Sequence, residues 1–241
     1  MPDPGFWGDQ GEGDPALLAA LAAYAAEPGR SPAVVWALSR ARVLVPVVAV
    51  LTEAAEAGAG PGRHRALHTE KLRREKSTDM ALVTIAGPDG RRALPVFTSL
   101  ASLAAWRADA RPVPVEAVRA AVSAAAEGAE ALVIDPAGPT RYAVAGPLLR
   151  VLAQGDVEPP LWDDPAARDA VLAALGVPRA VPGLRGVCLE PAAGADARVV
   201  LLVEPGADVA EVVRTAAPRL QSCELLRRRT YLGLDVAVAE D

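Results

Sequence analysis

"ALVTIAGPDGRRALPVFTSLASLAAW", residues 81–106, holds two apolar runs around Pro88-Asp89-Gly90, then changes period after Phe97-Thr98-Ser99. The Pro-Asp-Gly turn between β-rich runs predicts a hairpin, with Gly90 free to take a positive φ. From about Ser99 to Ala108 the period is helical, with Leu100, Leu103 and Ala104 on one face. Strand-to-helix turns are where several enzyme folds hold a nucleophilic serine, so Ser99 is the first catalytic candidate. Its surroundings do not fit that role. The Gly-x-Ser-x-Gly elbow is absent, and the only histidines are His64 and His68. Thr98 or Ser99 is read instead as a helix cap, its hydroxyl accepting an orphan backbone N–H worth about 1 kcal/mol.

Downstream, Pro112 and Pro114 punctuate the chain before a helix over 115–127, with Val115, Val118 and Val122 on one side and Gly128 at its C-terminal stop. Residues 130–136 and 141–145 read as strands, and 147–155 as a short closing helix. Upstream, Asp14-Pro15 opens an Ala/Leu helix that Pro28-Gly29 ends, with Leu17, Leu18, Leu21 and Tyr24 as its packed stripe. Residues 33–39 and 42–50 both read as strands. Pro46 removes a ladder donor from the second, which places it at a sheet edge or a bulge.

Hairpins mixed with β-α-β passages imply an α/β (α+β) fold: a mixed sheet with packed helices, plus a smaller C-terminal α+β domain. The expected division is a disordered N-terminus over 1–13, an N-terminal domain over 14–158 and a C-terminal domain over 164–241. The Pro- and acid-rich stretch 155–165 serves as linker. In the C-terminal part the pattern predicts a helix over 165–175, strands near 184–190 and 197–203, and a helix over 207–219. A final extended pair over 223–238 follows and takes in Arg227, Arg228 and Arg229. Arg228 then faces opposite to its neighbours on a charge-protected edge.

The chain of 241 residues is 51% apolar, much of it alanine, and only 4% aromatic, so Leu and Val must fill most of the core. A net charge of −5 argues against a generic nucleic-acid binder. The acidic start lacks the basic and apolar regions of a signal peptide, and Ser39, Arg40 and Arg42 break the one stretch apolar enough to suggest a membrane span. The expected setting is cytoplasmic. Cys188 and Cys223 form neither a disulfide framework nor a CxxC site and are read as buried thiols in a reducing compartment.

Residues 52–76 lack a core face and are read as a flexible basic loop. Within it, residues 63–76 carry six Lys/Arg against two Glu. Arg63, Arg65, Lys71, Arg73, Arg74 and Lys76 are the candidate partner-binding residues, suited to an acidic protein. No aromatics interleave them for base stacking, which disfavours nucleic acid. His64 and His68 stand at i, i+4, but Arg65 occupies the position where a zinc protease needs glutamate. "GAGPG" (58–62) lacks the Gly-Lys-Ser/Thr ending of a phosphate loop. No catalytic, metal or cofactor-binding residue is assigned, and no cofactor is expected.

"EKSTDMALV" (75–83), "ALPVFTSLASLAAW" (93–106) and "ALVIDPAGP" (131–139), in that order, resemble the signature of the SseB family, the enhanced serine sensitivity proteins. In particular the chain resembles the actinobacterial members with a second, C-terminal domain. The resemblance implies a cytoplasmic α/β protein without established enzymatic activity or agreed catalytic residues. Two functions remain open from the sequence. One is a non-enzymatic accessory or binding protein working through protein–protein contacts, with a homo-oligomer left open. The other is a cryptic thiol enzyme of sulfur or serine metabolism, in which Arg227–Arg229 lower the pKa of Cys223.

Overall fold

Residues 8–51, 78–87, 90–177 and 179–240 are described by a computed structural model. Asp14 caps α1 (Pro15–Ala26) by accepting from Leu17 N, as Asp-Pro predicts. Leu17 and Leu21 are buried but Leu18 faces solvent, so the packed stripe is narrower than expected. Residues 31–38 are helical, not extended: α2 (Ser31–Leu38) starts at a Pro28–Arg30 3-10 turn with Pro32 in its first turn. Val34 and Val35 carry only a small intrinsic penalty in a helix. Burial of Val34, Val35, Ala37 and Leu38 against α1 outweighs it.

Strand β1 (Arg42–Leu51) is not an edge strand despite Pro46. It lies at the centre of an antiparallel sheet between β2 (Thr78–Leu82) and β5 (Arg111–Glu116). Pro46 stands opposite Pro112, and Leu44 opposite Pro114. The Leu44 N–H points away from β5, donating to Phe97 O at 2.8 Å. Strand alternation therefore sends the side of Pro46 that lacks an N–H the same way, into the gap before pairing with β2 begins at Val47. By the same alternation Pro112 and Pro114 turn their missing donors to the outer edge of β5. The two prolines are not punctuation between helices but the protection of an edge strand.

The expected hairpin is present. Strand β3 (Ile85–Ala86) pairs antiparallel with β4 (Arg92–Val96), closed by Gly87 N to Arg91 O at 2.8 Å, and Gly90 adopts φ +79°. Beside them β6 (Ala131–Ile134) runs parallel to β4, and β7 (Tyr142–Ala145) closes the sheet in the order β3-β4-β6-β7. The bridge between Leu44 and Phe97 ties this mixed sheet to the first. Helix α3 (Leu100–Trp106) follows β4, and α4 (Ala117–Ala126) and α5 (Gly146–Gln154) pack on the N-terminal core. The buried face of α4 is Ala117, Ala120, Ala121 and Ala124, while Val122 is 52% exposed. Small side chains let the helix approach the sheets closely, so alanine rather than valine marks the inner face. Gly128 and Gly155 end α4 and α5 with positive φ.

A second core surrounds α6 (Pro165–Leu175), β8 (Leu184–Glu190), β9 (Ala197–Val203), α7 (Val209–Ser222), α8 (Glu224–Arg229) and β10 (Leu234–Glu240). The sheet order is β10-β9-β8, with β10 parallel to β9 and β8 antiparallel to it. Residues 224–229 form a helix, not the strand expected there. Arg227, Arg228 and Arg229 therefore fan around an axis, Arg229 turned inward and the other two exposed. This is the smaller C-terminal domain of an α+β protein. Among the described residues no helix is long and apolar enough to cross a membrane.

Tyr142 fastens α1 and α2 to β7. Its hydroxyl shares a 2.6 Å hydrogen bond with Ser31 Oγ, and its ring meets that of Tyr24 edge-on at 4.9 Å. Burial pushes its pKa up to about 12. The folded value lies above the unfolded one, so the neutral form is favoured by folding and stability is lost as pH rises from about 10 towards 12. Urea midpoints of wild type and Tyr142→Phe, followed from pH 8 to 11, should converge as the wild type falls faster. Parallel curves would show that Tyr142 is not buried as described.

Candidate functional site

Thr98 and Ser99 occupy the turn between β4 and α3. Ser99 is extended (φ −144°, ψ 165°), and its Oγ accepts from Ser102 N at 3.1 Å while Ser102 Oγ accepts from Ser99 N at 3.1 Å. The pair is a capping box in which serine takes the usual place of glutamate. Ser99 therefore caps α3. Thr98 is buried and is bound by Asp135, whose carboxylate accepts from Thr98 N at 3.0 Å and Thr98 Oγ1 at 2.7 Å. Asp135 is 8% exposed and takes φ +46° at the end of β6, a conformation that aspartate tolerates better than most residues. Gly138 N donates back to Asp135 O at 2.8 Å, and a Cβ at Gly138 would stand 3.1 Å from that of Asp135. "FTS" and "IDPAG" are thus two halves of one lock across the parallel strands β4 and β6.

Residues 8–13, part of the stretch expected to be disordered, lie over this turn. Arg42 reaches from β1 to Thr98 O at 3.2 Å, Asp9 Oδ1 at 2.5 Å and Glu12 O at 2.7 Å. Gly11 O accepts from Leu100 N at 2.8 Å, completing the start of α3. The hydroxyl, carboxylate and guanidinium that could suggest an active site are each bound to a protein partner.

A second concentration of polar groups stands where the two cores meet. A crevice there has an apolar floor of Val35, Leu148 and Val151 and a rim of Asp196, Arg229 and Tyr231. Arg229, only 9% exposed, forms ion pairs with Glu158 and Asp164 and donates to Pro159 O. Its guanidinium holds the Asp164 carboxyl below the usual carboxylate range, while Asp164 Oδ1 caps α6 by accepting from Ala166 N at 2.9 Å. The linker expected over 155–165 is clasped rather than free, with Leu161 buried in the C-terminal core. Asp196 Oδ2 accepts from three successive amides, Tyr231 N at 2.8 Å, Leu232 N at 2.6 Å and Gly233 N at 3.0 Å. Burial pushes this carboxyl up, against the pull of those donors. Gly29 touches the β8–β9 loop so closely that a Cβ would stand 2.9 Å from Ala192 N.

The six sequence candidates, Arg63, Arg65, Lys71, Arg73, Arg74 and Lys76, lie outside the described residues, as do His64, His68 and residues 58–62. Cys223 is buried as expected, its Sγ donating to Ala170 O at 3.8 Å. Cys188 is not: it is exposed, because alternation along β8 points Val187 and Leu189 into the core. Among the described residues, no group of three or more His, Cys, Asp or Glu could hold a metal ion. Sequence reading passed over Asp135 and Asp196, and it placed Arg229 on a strand edge or beside Cys223 rather than in its ion pairs with Glu158 and Asp164. For Asp135 the signal was available, as an acid directly after an apolar strand and before Pro136.

The geometry defines an α+β protein whose polar turns hold the fold together. The model of the SseB protein N-terminal domain matches residues 17–151. The chain belongs to the SseB family, and the match spans both halves of the Thr98–Asp135 lock. Comparison with curated proteins and with solved structures finds no match.

If the turn is a lock, substitutions rank by burial. Ser99→Ala should cost about 1 kcal/mol through the lost cap. Asp135→Ala, which leaves the buried Thr98 N–H unpaired, should cost about 1–3 kcal/mol. Denaturant titration of both variants measures the order, and a harmless Asp135→Ala would refute it.

Proposed function

We propose that the chain is a non-enzymatic cytoplasmic accessory protein of the SseB family that acts through protein–protein contacts. The observation carrying this reading is the commitment of Ser99, Asp135, Asp196 and Arg229 to internal hydrogen bonds and ion pairs. Catalysis needs a nucleophile beside a free base, or convergent groups facing an open pocket. The proposed organisation is the two-domain type resembling actinobacterial members, divided at 14–158 and 164–241. Arg63, Arg65, Lys71, Arg73, Arg74 and Lys76 are the proposed contact for an acidic protein partner, a local charge of +4 in a chain of net charge −5.

The thiol-enzyme reading loses its main support. Arg229 is spent on Glu158 and Asp164, Arg227 and Arg228 are exposed, and the Cys223 thiol is buried and donates to Ala170 O.

Two measurements test the proposal. Affinity capture with the full chain should recover a partner that is lost when the six basic residues are neutralised together. Recovery unchanged by that substitution would exclude the basic segment as the contact. Alkylation of the native protein should modify Cys188 and spare Cys223. Rapid, selective reaction at Cys223 would revive the thiol enzyme.

A further inference from the structure

Among the described residues, β10 lies at the edge of the C-terminal sheet. An unpaired strand edge is a template for another chain unless proline, a bulge or shortness blunts it. Two other edge strands of this protein are blunted. β5 turns Pro112 and Pro114 outward, and the pairing of β8 shifts register between Leu184 and Gly186. β10, "LDVAVAE", contains no proline and pairs with β9 over all seven residues without a shift. On its helix-covered side Val236 remains 44% exposed, in a groove shared with Leu220, Leu226, Leu234 and Arg227. Arg227 is exposed and forms no ion pair with a described residue.

We propose that β10 pairs antiparallel with β10 of a second copy, about a two-fold axis through Ala237, joining two three-stranded sheets into one of six. Strand parity and charge select a second copy as the occupant. With Ala237 opposite its counterpart, Val236 faces Val238 of the other chain, and Leu234 faces Glu240. Residues directly opposite share a face, so both sets of helices lie on the same side of the joint sheet. The exposed Val236 is then covered by an apolar residue of matching shape. Leu234 lines the same groove as Arg227, so Glu240 of the second copy arrives beside that unpaired guanidinium. The two-fold axis repeats the ion pair, giving a closed, self-complementary interface.

Sedimentation velocity of the full chain over a micromolar concentration series tests this directly. The wild type should sediment as a concentration-dependent dimer. Val236→Arg and Ala237→Pro should sediment as monomers with unchanged circular dichroism. Arg227→Glu and Glu240→Arg should each weaken the dimer roughly fivefold, and the double variant Arg227→Glu/Glu240→Arg should recover most of the loss. A monomer at every concentration, or a dimer indifferent to Val236→Arg, would overturn the proposal. So would a double variant no stronger than the single ones, or the binding of an unrelated acidic strand in place of the second copy. Should the strand variants fail to fold, the exposed charge pair decides the matter alone.

Discussion

The Arg229 guanidinium, nearly removed from water and shared among Glu158, Asp164 and Pro159 O, is the contact on which the seam between the two cores depends. It crosses 65 residues of chain to reach Asp164, and Asp164 in turn caps α6. One end of α8, the start of α6 and the linker are thereby fixed to one another. The next residues, Tyr231 to Gly233, are gathered by Asp196, and they lead straight into β10. Without this clasp the Asp164 carboxylate, largely removed from water, would be left without its cation.

A similar economy governs the N-terminal domain. Parallel strands β4 and β6 must be tied at the ends where their chains depart in different directions. Thr98 and Asp135 do this with two hydrogen bonds buried beside Phe97. Arg42 then extends the network to residues 8–13. In both domains the described acids and bases that could suggest catalysis act as joints.

Features set by neighbouring residues were legible in the sequence. The Asp14 cap, the hairpin at Gly90, the helix start at Ser99 and the stop at Gly128 each depend on a few residues of local chemistry. Features set by distant contacts were not. Residues 33–38 carry β-branched valines, yet packing on α1 made them a helix. Pro112 and Pro114 looked like punctuation because their use as an edge appears only once β1 is paired beside them. Asp135, Asp196 and Arg229 find their partners 35 or more residues away, beyond the reach of any short motif. The "FTS" and "IDPAG" motifs were visible as family marks, but that they bind each other required the parallel pairing of β4 with β6.

The most direct measurement is the stability of Arg229→Met, a substitution of similar length without the charge. If Arg229 is the clasp, urea denaturation should show a loss of about 2 kcal/mol or more, below the range for a wholly buried pair because Glu158 is half exposed. Limited proteolysis should open a new cleavage within 155–164. A binding-site cation held against the fold's interest gives the opposite sign, since freeing such a residue stabilises. Unchanged or increased stability with an uncut linker would contradict the account.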